Sequence, residues 1–115
     1  MQNYTEFTAK GQTFKAFHTL ENLYRIEAQG LNLADLAIAF SEGKSLSFTE
    51  SKKLLEAALW ADINDTAQRI AFVNDFLNER RFKGTQEIAV FVMDSVTPPA
   101  SNEDADDEKK TTASE

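Results

Sequence analysis

The chain contains no cysteine in 115 residues. Disulfides, thiolate metal ligands and thiol nucleophiles are therefore excluded, and a reducing compartment suits the sequence. A single histidine, His18, leaves no second imidazole for a zinc site, and no cysteine or carboxylate cluster adjoins it. The four glycines form no phosphate-cradling loop, and no nucleophile–base spacing is present. The expectation is a protein that is not an enzyme and carries no cofactor and no metal. No apolar run approaches the ~20 residues of a membrane span. The opening MQNYTEFTAK also lacks the apolar core of a secretory signal. The two prolines stand together at positions 98 and 99, so strong chain-breaking is concentrated at one point.

Charge is present but unevenly placed. The net charge is −7, of which residues 100–115 contribute −4 through six acids and two lysines. That segment is polar, charged and without aromatics, so residues 98–115 are expected to form a disordered acidic tail. Residues 1–97 are expected to form one mainly α domain opened by a β-hairpin.

Residues 4–18 carry the hairpin signal. Thr5, Phe7 and Ala9 share one parity, Phe14, Ala16 and His18 follow after Lys10-Gly11-Gln12, and glycine suits the link. Four to five short helices are expected after it, over about 20–29, 33–42, 48–61, 65–82 and 86–96. Thr19 can cap the first, whose stripe is Leu20, Leu23, Tyr24 and Glu27 widened by Ile26, with Gly30 as terminator. Asn32 caps the second, with Leu33, Leu36, Ala37 and Phe40 as its apolar face and Gly43 closing it. Ser47 and Glu50 have capping-box spacing for the third, in which Leu54, Leu55, Ala58 and Leu59 face inward.

Asn64 or Asp65 can cap the fourth helix. Ala67, Ile70, Val73, Asn74 and Leu77 form its stripe, Phe72 and Phe76 lie beside it, and Gly84 is the expected stop. The fifth segment, Ile88 to Met93, is continuously apolar, so periodicity does not separate helix from strand. A Thr85 cap and Glu87 in the first turn favour helix. Arg80, Arg81 and Lys83 fit the negative end of the fourth helix dipole better than a phosphate contact. The second and third helices can be drawn as a helix-turn-helix, yet Glu50 and Glu56 on the second of the pair suit a phosphate-lined groove poorly.

One excess remains. Phe72, Phe76, Phe82, Ile88, Phe91, Val92 and Met93 crowd the last two helices. Each can be core, or part of a docking patch for a partner helix or a second copy. The expected partner-binding residues are Phe72, Phe76, Phe82, Phe91 and Met93.

The order of signals TEFTAKGQTFKAFHT, LENLYRIEAQG, LADLAIAFSEG, SLSF and LLEAALWA resembles the small tail assembly chaperones of long-tailed bacteriophages and the related gene transfer agent proteins. The resemblance covers about residues 5–61 and rests on a pattern of Leu, Glu and Gly. It implies a non-enzymatic protein, phage- or prophage-encoded, that binds the helical tape measure protein and keeps it soluble while tail tube subunits polymerise. The implied partners are the tape measure protein and the tail tube protein; the apolar excess adds self-association as an expectation, and neither nucleic acid nor membrane is expected. The implied location is the host bacterial cytoplasm, with the protein absent from the finished virion. The resemblance also implies a longer frameshifted form, in which residues from Pro98 onward would end the short form or belong to a linker. Two other readings are a connector or scaffold component and a small DNA-binding regulator.

Overall fold

Lys10 and Gly11 both take left-handed φ values, 49° and 76°, and form a two-residue link. A pair of positive φ angles matches the twist of antiparallel strands and closes a tight hairpin. In this computed structural model, which describes residues 3–98, β1 (Tyr4–Ala9) pairs with β2 (Gln12–Phe17). Their register sets Thr5 opposite Ala16 and Phe7 opposite Phe14. Phe7, Ala9 and Ala16 go into the core, as the parity of the sequence requires. The link is one residue shorter than the sequence suggested, because Gln12 already pairs with Ala9.

Five helices follow: α1 (Leu20–Glu27), α2 (Leu33–Ser41), α3 (Phe48–Ala58), α4 (Thr66–Arg80) and α5 (Phe82–Val96). The expected caps at Thr19, Asn32 and Ser47 are in place, and Asp65 caps α4. At Ser47 the box is complete: its hydroxyl accepts the Glu50 N–H at 3.0 Å, and Glu50 accepts the Ser47 N–H at 3.2 Å. The fifth segment is helical. The proposed tail beyond Pro98 lies outside the described residues.

α3 is the central helix. It contacts α1, α4, α5 and β2, and Leu54, Leu55, Ala58 and Leu59 along it are fully buried. Burying each leucine contributes about 1.5–3 kcal/mol before entropy is counted. The other half of the core is aromatic. Phe7 of the hairpin meets Phe76 and Phe91 edge-on, with ring centres 5.3 and 6.1 Å away. Phe14 meets Phe72 in the same geometry at 4.9 Å.

Polar ties attach the hairpin to the rest of the fold. Asn22 of α1 is only 1% exposed. Its amide donates to the carbonyls of Phe17 at 2.8 Å and Ala58 at 3.0 Å, and its oxygen accepts from Arg25 at 3.0 Å. The Lys15 N–H donates to the Asp62 carboxylate and the Lys10 N–H to that of Glu79, each at 2.8 Å. These bonds occupy main-chain donors that a two-stranded sheet would leave open to pairing with another chain.

The junction of α4 and α5 corrects the sequence reading. Gly84 does not stop α4, and Thr85 does not cap α5. The break falls at Arg81, with φ 54° and ψ −126°. Left-handed φ is strained for arginine, but its guanidinium binds back to the Asn78 carbonyl and side-chain oxygen, each at 3.0 Å. Gly84 lies inside α5, where a Cβ would come within 3.2 Å of the Phe76 ring and 3.3 Å of the Arg80 Cβ. Thr85 is buried there, its hydroxyl donating to the Phe82 carbonyl at 2.7 Å.

Two substitutions test this framework. Asn22→Leu removes both carbonyl bonds and should lower unfolding free energy by about 2–4 kcal/mol in denaturant titration. Gly84→Leu should cost about 1–3 kcal/mol by forcing α4 and α5 apart at Phe76.

Candidate functional site

α1 is amphipathic, and the stripe read from its sequence is split between core and solvent, with Leu23 half-buried against the core. Ile26 and Asn22 are buried, whereas Leu20 and Tyr24 are 65% and 66% exposed. The size of the apolar side chains does not decide which part goes inward. Asn22 decides it, because its amide is the group that reaches the two carbonyls beneath α1. Leu20, Leu23, Tyr24 and Glu27, at positions i, i+3, i+4 and i+7, are left lining one wall of a groove.

The groove has a volume of about 1100 Å³. Tyr4, Thr5 and Glu6 of β1 form a second side, Leu33 and Ala34 of α2 close one end, and Asp94 to Pro98 complete it. Glu6, Glu27 and Asp94 bring three carboxylates to it, and no lysine or arginine is among its lining residues. The Glu27 carboxylate has a structural duty as well, accepting the Leu33 N–H at 3.1 Å and so joining α1 to α2.

His18 lies on the groove wall as a bridge. Its Nε2 is 3.0 Å from the Thr5 hydroxyl of β1 and its Nδ1 is 2.7 Å from the Ser95 hydroxyl of α5. The ring stacks on Phe91, centres 5.1 Å apart. Burial pushes its pKa below the ordinary histidine value, against the opposing effects of the Asp94 charge and a backbone hydrogen bond at Tyr4. Two hydroxyls and a phenyl ring make His18 a clasp between β1 and α5. No group of three or more His, Asp or Glu capable of holding a metal occurs among the described residues.

The residues expected to bind a partner are dispersed. Phe72, Phe76 and Phe91 are core, which removes them from the surface: Phe72 packs on Phe14, and Phe76 and Phe91 on Phe7. Met93 is half-buried. Phe82 is 54% exposed, at the α4–α5 corner. None of the five lines the groove. The fourth-helix stripe was also displaced: Ala67 and Asn74 face outward, and Arg69 is buried. Arg69 donates to the Ile63 carbonyl at 2.8 Å and stacks 4.2 Å from the Trp60 ring.

Arg80 and Arg81, two of the three bases near the end of α4, are engaged internally, and Lys83 is exposed. Arg80 donates to Glu87 at 2.9 Å and lies over the Phe76 ring, and Arg81 is bonded to Asn78. α3, which a helix-turn-helix would lay in a DNA groove, is the most buried helix of the bundle. No described helix is long and apolar enough to cross a membrane. No protein-family model, curated protein or solved structure matches the chain.

The lowered pKa of His18 fixes a sign. The folded state favours neutral imidazole more than the unfolded chain does, so unfolding binds a proton. The His18 contribution is present above the ordinary histidine value and is lost as pH falls below it through the lowered pKa of the folded state. Thermal melts should show that loss, and His18→Gln should flatten the part of the slope that falls near pH 6.

Proposed function

We propose that this protein is a tail assembly chaperone of a phage or prophage, binding helical segments of a tape measure protein and keeping them from aggregating before tail tube subunits enclose them. The observation that carries the reading is the outward part of the α1 stripe, Leu20 and Tyr24, held open to solvent along a groove, with Leu23 beside them half-buried against the core. Apolar groups presented in a groove on a helical scaffold suit capture of an amphipathic helix. The groove volume lies at or beyond the upper end of the roughly 300–1,000 Å³ of small-molecule pockets. The local chemistry suits binding: the sole histidine clasps two hydroxyls, and the groove sets carboxylates beside apolar side chains. The pattern of residues 5–61 points the same way.

The test is co-expression with a candidate tape measure protein. Soluble yield of that protein should rise several-fold, and purified tails should lack the chaperone. No rise in yield overturns the proposal. Retention in finished particles also overturns it, in favour of a connector or scaffold.

A further inference from the structure

The geometry points to one class of occupant for the groove: an amphipathic α-helix of a partner protein whose apolar stripe is flanked by lysine or arginine. This rests on the helix-binding reading above and adds to it the binding surface and the charge of the partner. Leu20, Leu23 and Tyr24 offer apolar contacts one helical turn apart, the spacing at which a second helix presents its own stripe. Val96, across the groove on α5, is also exposed. The apolar contacts alone would accept any such helix. Charge is what selects: the charged residues that line the groove, Glu6, Glu27 and Asp94, are all acidic, and Lys15, set across the strands from Glu6, keeps its ammonium over the Tyr4 ring. Glu6 and Asp94 stand at the groove without a salt-bridge partner among the described residues. Glu27 adds a third carboxylate on the α1 side. A helix carrying Lys or Arg beside its stripe would meet complementary charge, and a Glu-flanked helix of the same stripe would meet repulsion.

Two other occupants are disfavoured by the same charges. Residues 100–115 carry net −4, so this segment would bring acid to an acidic rim. A second copy docking through its own α1 would bring Glu21 and Glu27 towards these carboxylates against one base, Arg25, which is bonded to Asn22, and is disfavoured likewise.

The test uses the full chain and two fluorescent peptides of about fourteen residues, about four helical turns. Both carry leucine at i, i+3, i+4 and i+7; one has lysine flanks and the other glutamate. The lysine peptide should bind at least about tenfold more tightly, and the gap should narrow at about 0.5 M salt. Amide resonances of Leu20, Tyr24 and Val96 should shift on titration. The double variant Leu20→Ser, Tyr24→Ser alters exposed side chains, should keep the parent melting temperature, and should weaken binding about tenfold or more. Glu6→Lys with Asp94→Lys should reverse the preference between peptides.

Equal affinity for the two peptides, or shifts confined to residues outside the groove, would overturn the assignment. So would sedimentation showing a dimer that the Leu20/Tyr24 variant dissociates and the lysine peptide does not, since a second copy would then occupy the groove. The chaperone reading fails separately. If the lysine peptide binds in the groove but co-expression leaves tape measure solubility unchanged, the groove assignment stands and the chaperone function falls. If solubility rises equally with the Leu20/Tyr24 variant, the function stands and the groove assignment falls.

Discussion

The fold turns on one buried amide. Asn22 bonds to a carbonyl at the end of the hairpin and to another at the end of the central helix, so a single side chain fixes β2, α1 and α3 together. Burying an amide is costly unless its hydrogen bonds are made, and a carbonyl at a helix end has no partner within its helix. The three groups meet each other's needs only in one orientation of α1. That orientation sends Ile26 into the core and leaves Leu20 and Tyr24 outside. The exposed apolar groove is therefore a consequence of polar satisfaction in the interior.

The same logic governs the hairpin. Two strands alone are marginal in water, and this pair is anchored twice over. Phe7 is inserted between Phe76 and Phe91, while Asp62 and Glu79 take main-chain N–H groups of Lys15 and Lys10. His18 adds a clasp between β1 and the end of α5 through Thr5 and Ser95. The groove lies between elements joined by that clasp, so its walls are held by hydrogen bonds and aromatic packing instead of by its own apolar residues. Such a surface can remain open to a partner without collapsing.

Much of the architecture was legible. Parity gave the hairpin, side-chain oxygens at Thr19, Asn32, Ser47 and Asp65 marked helix starts, and Gly30 and Gly43 take the positive φ angles that follow α1 and α2. The α4–α5 junction was not legible, because an arginine held by Asn78 took the strained conformation that a glycine three residues later seemed to offer. The aromatic excess was misread for a related reason. Composition shows that Phe72, Phe76 and Phe91 are numerous, but only the approach of Phe7 and Phe14 from the distant hairpin shows that they are covered.

The sequence by itself determined the local elements, since turns, caps and periodicity act within a few residues and need no partner. It also determined that an apolar stripe runs through Leu20, Leu23 and Tyr24. Only the tertiary structure decided which face of α1 meets solvent. That choice depends on two carbonyls, at Phe17 and Ala58, that come together only when hairpin and central helix are in place. Local rules rank side chains by hydropathy; the packed chain also ranks the hydrogen bonds that each orientation would leave unmade.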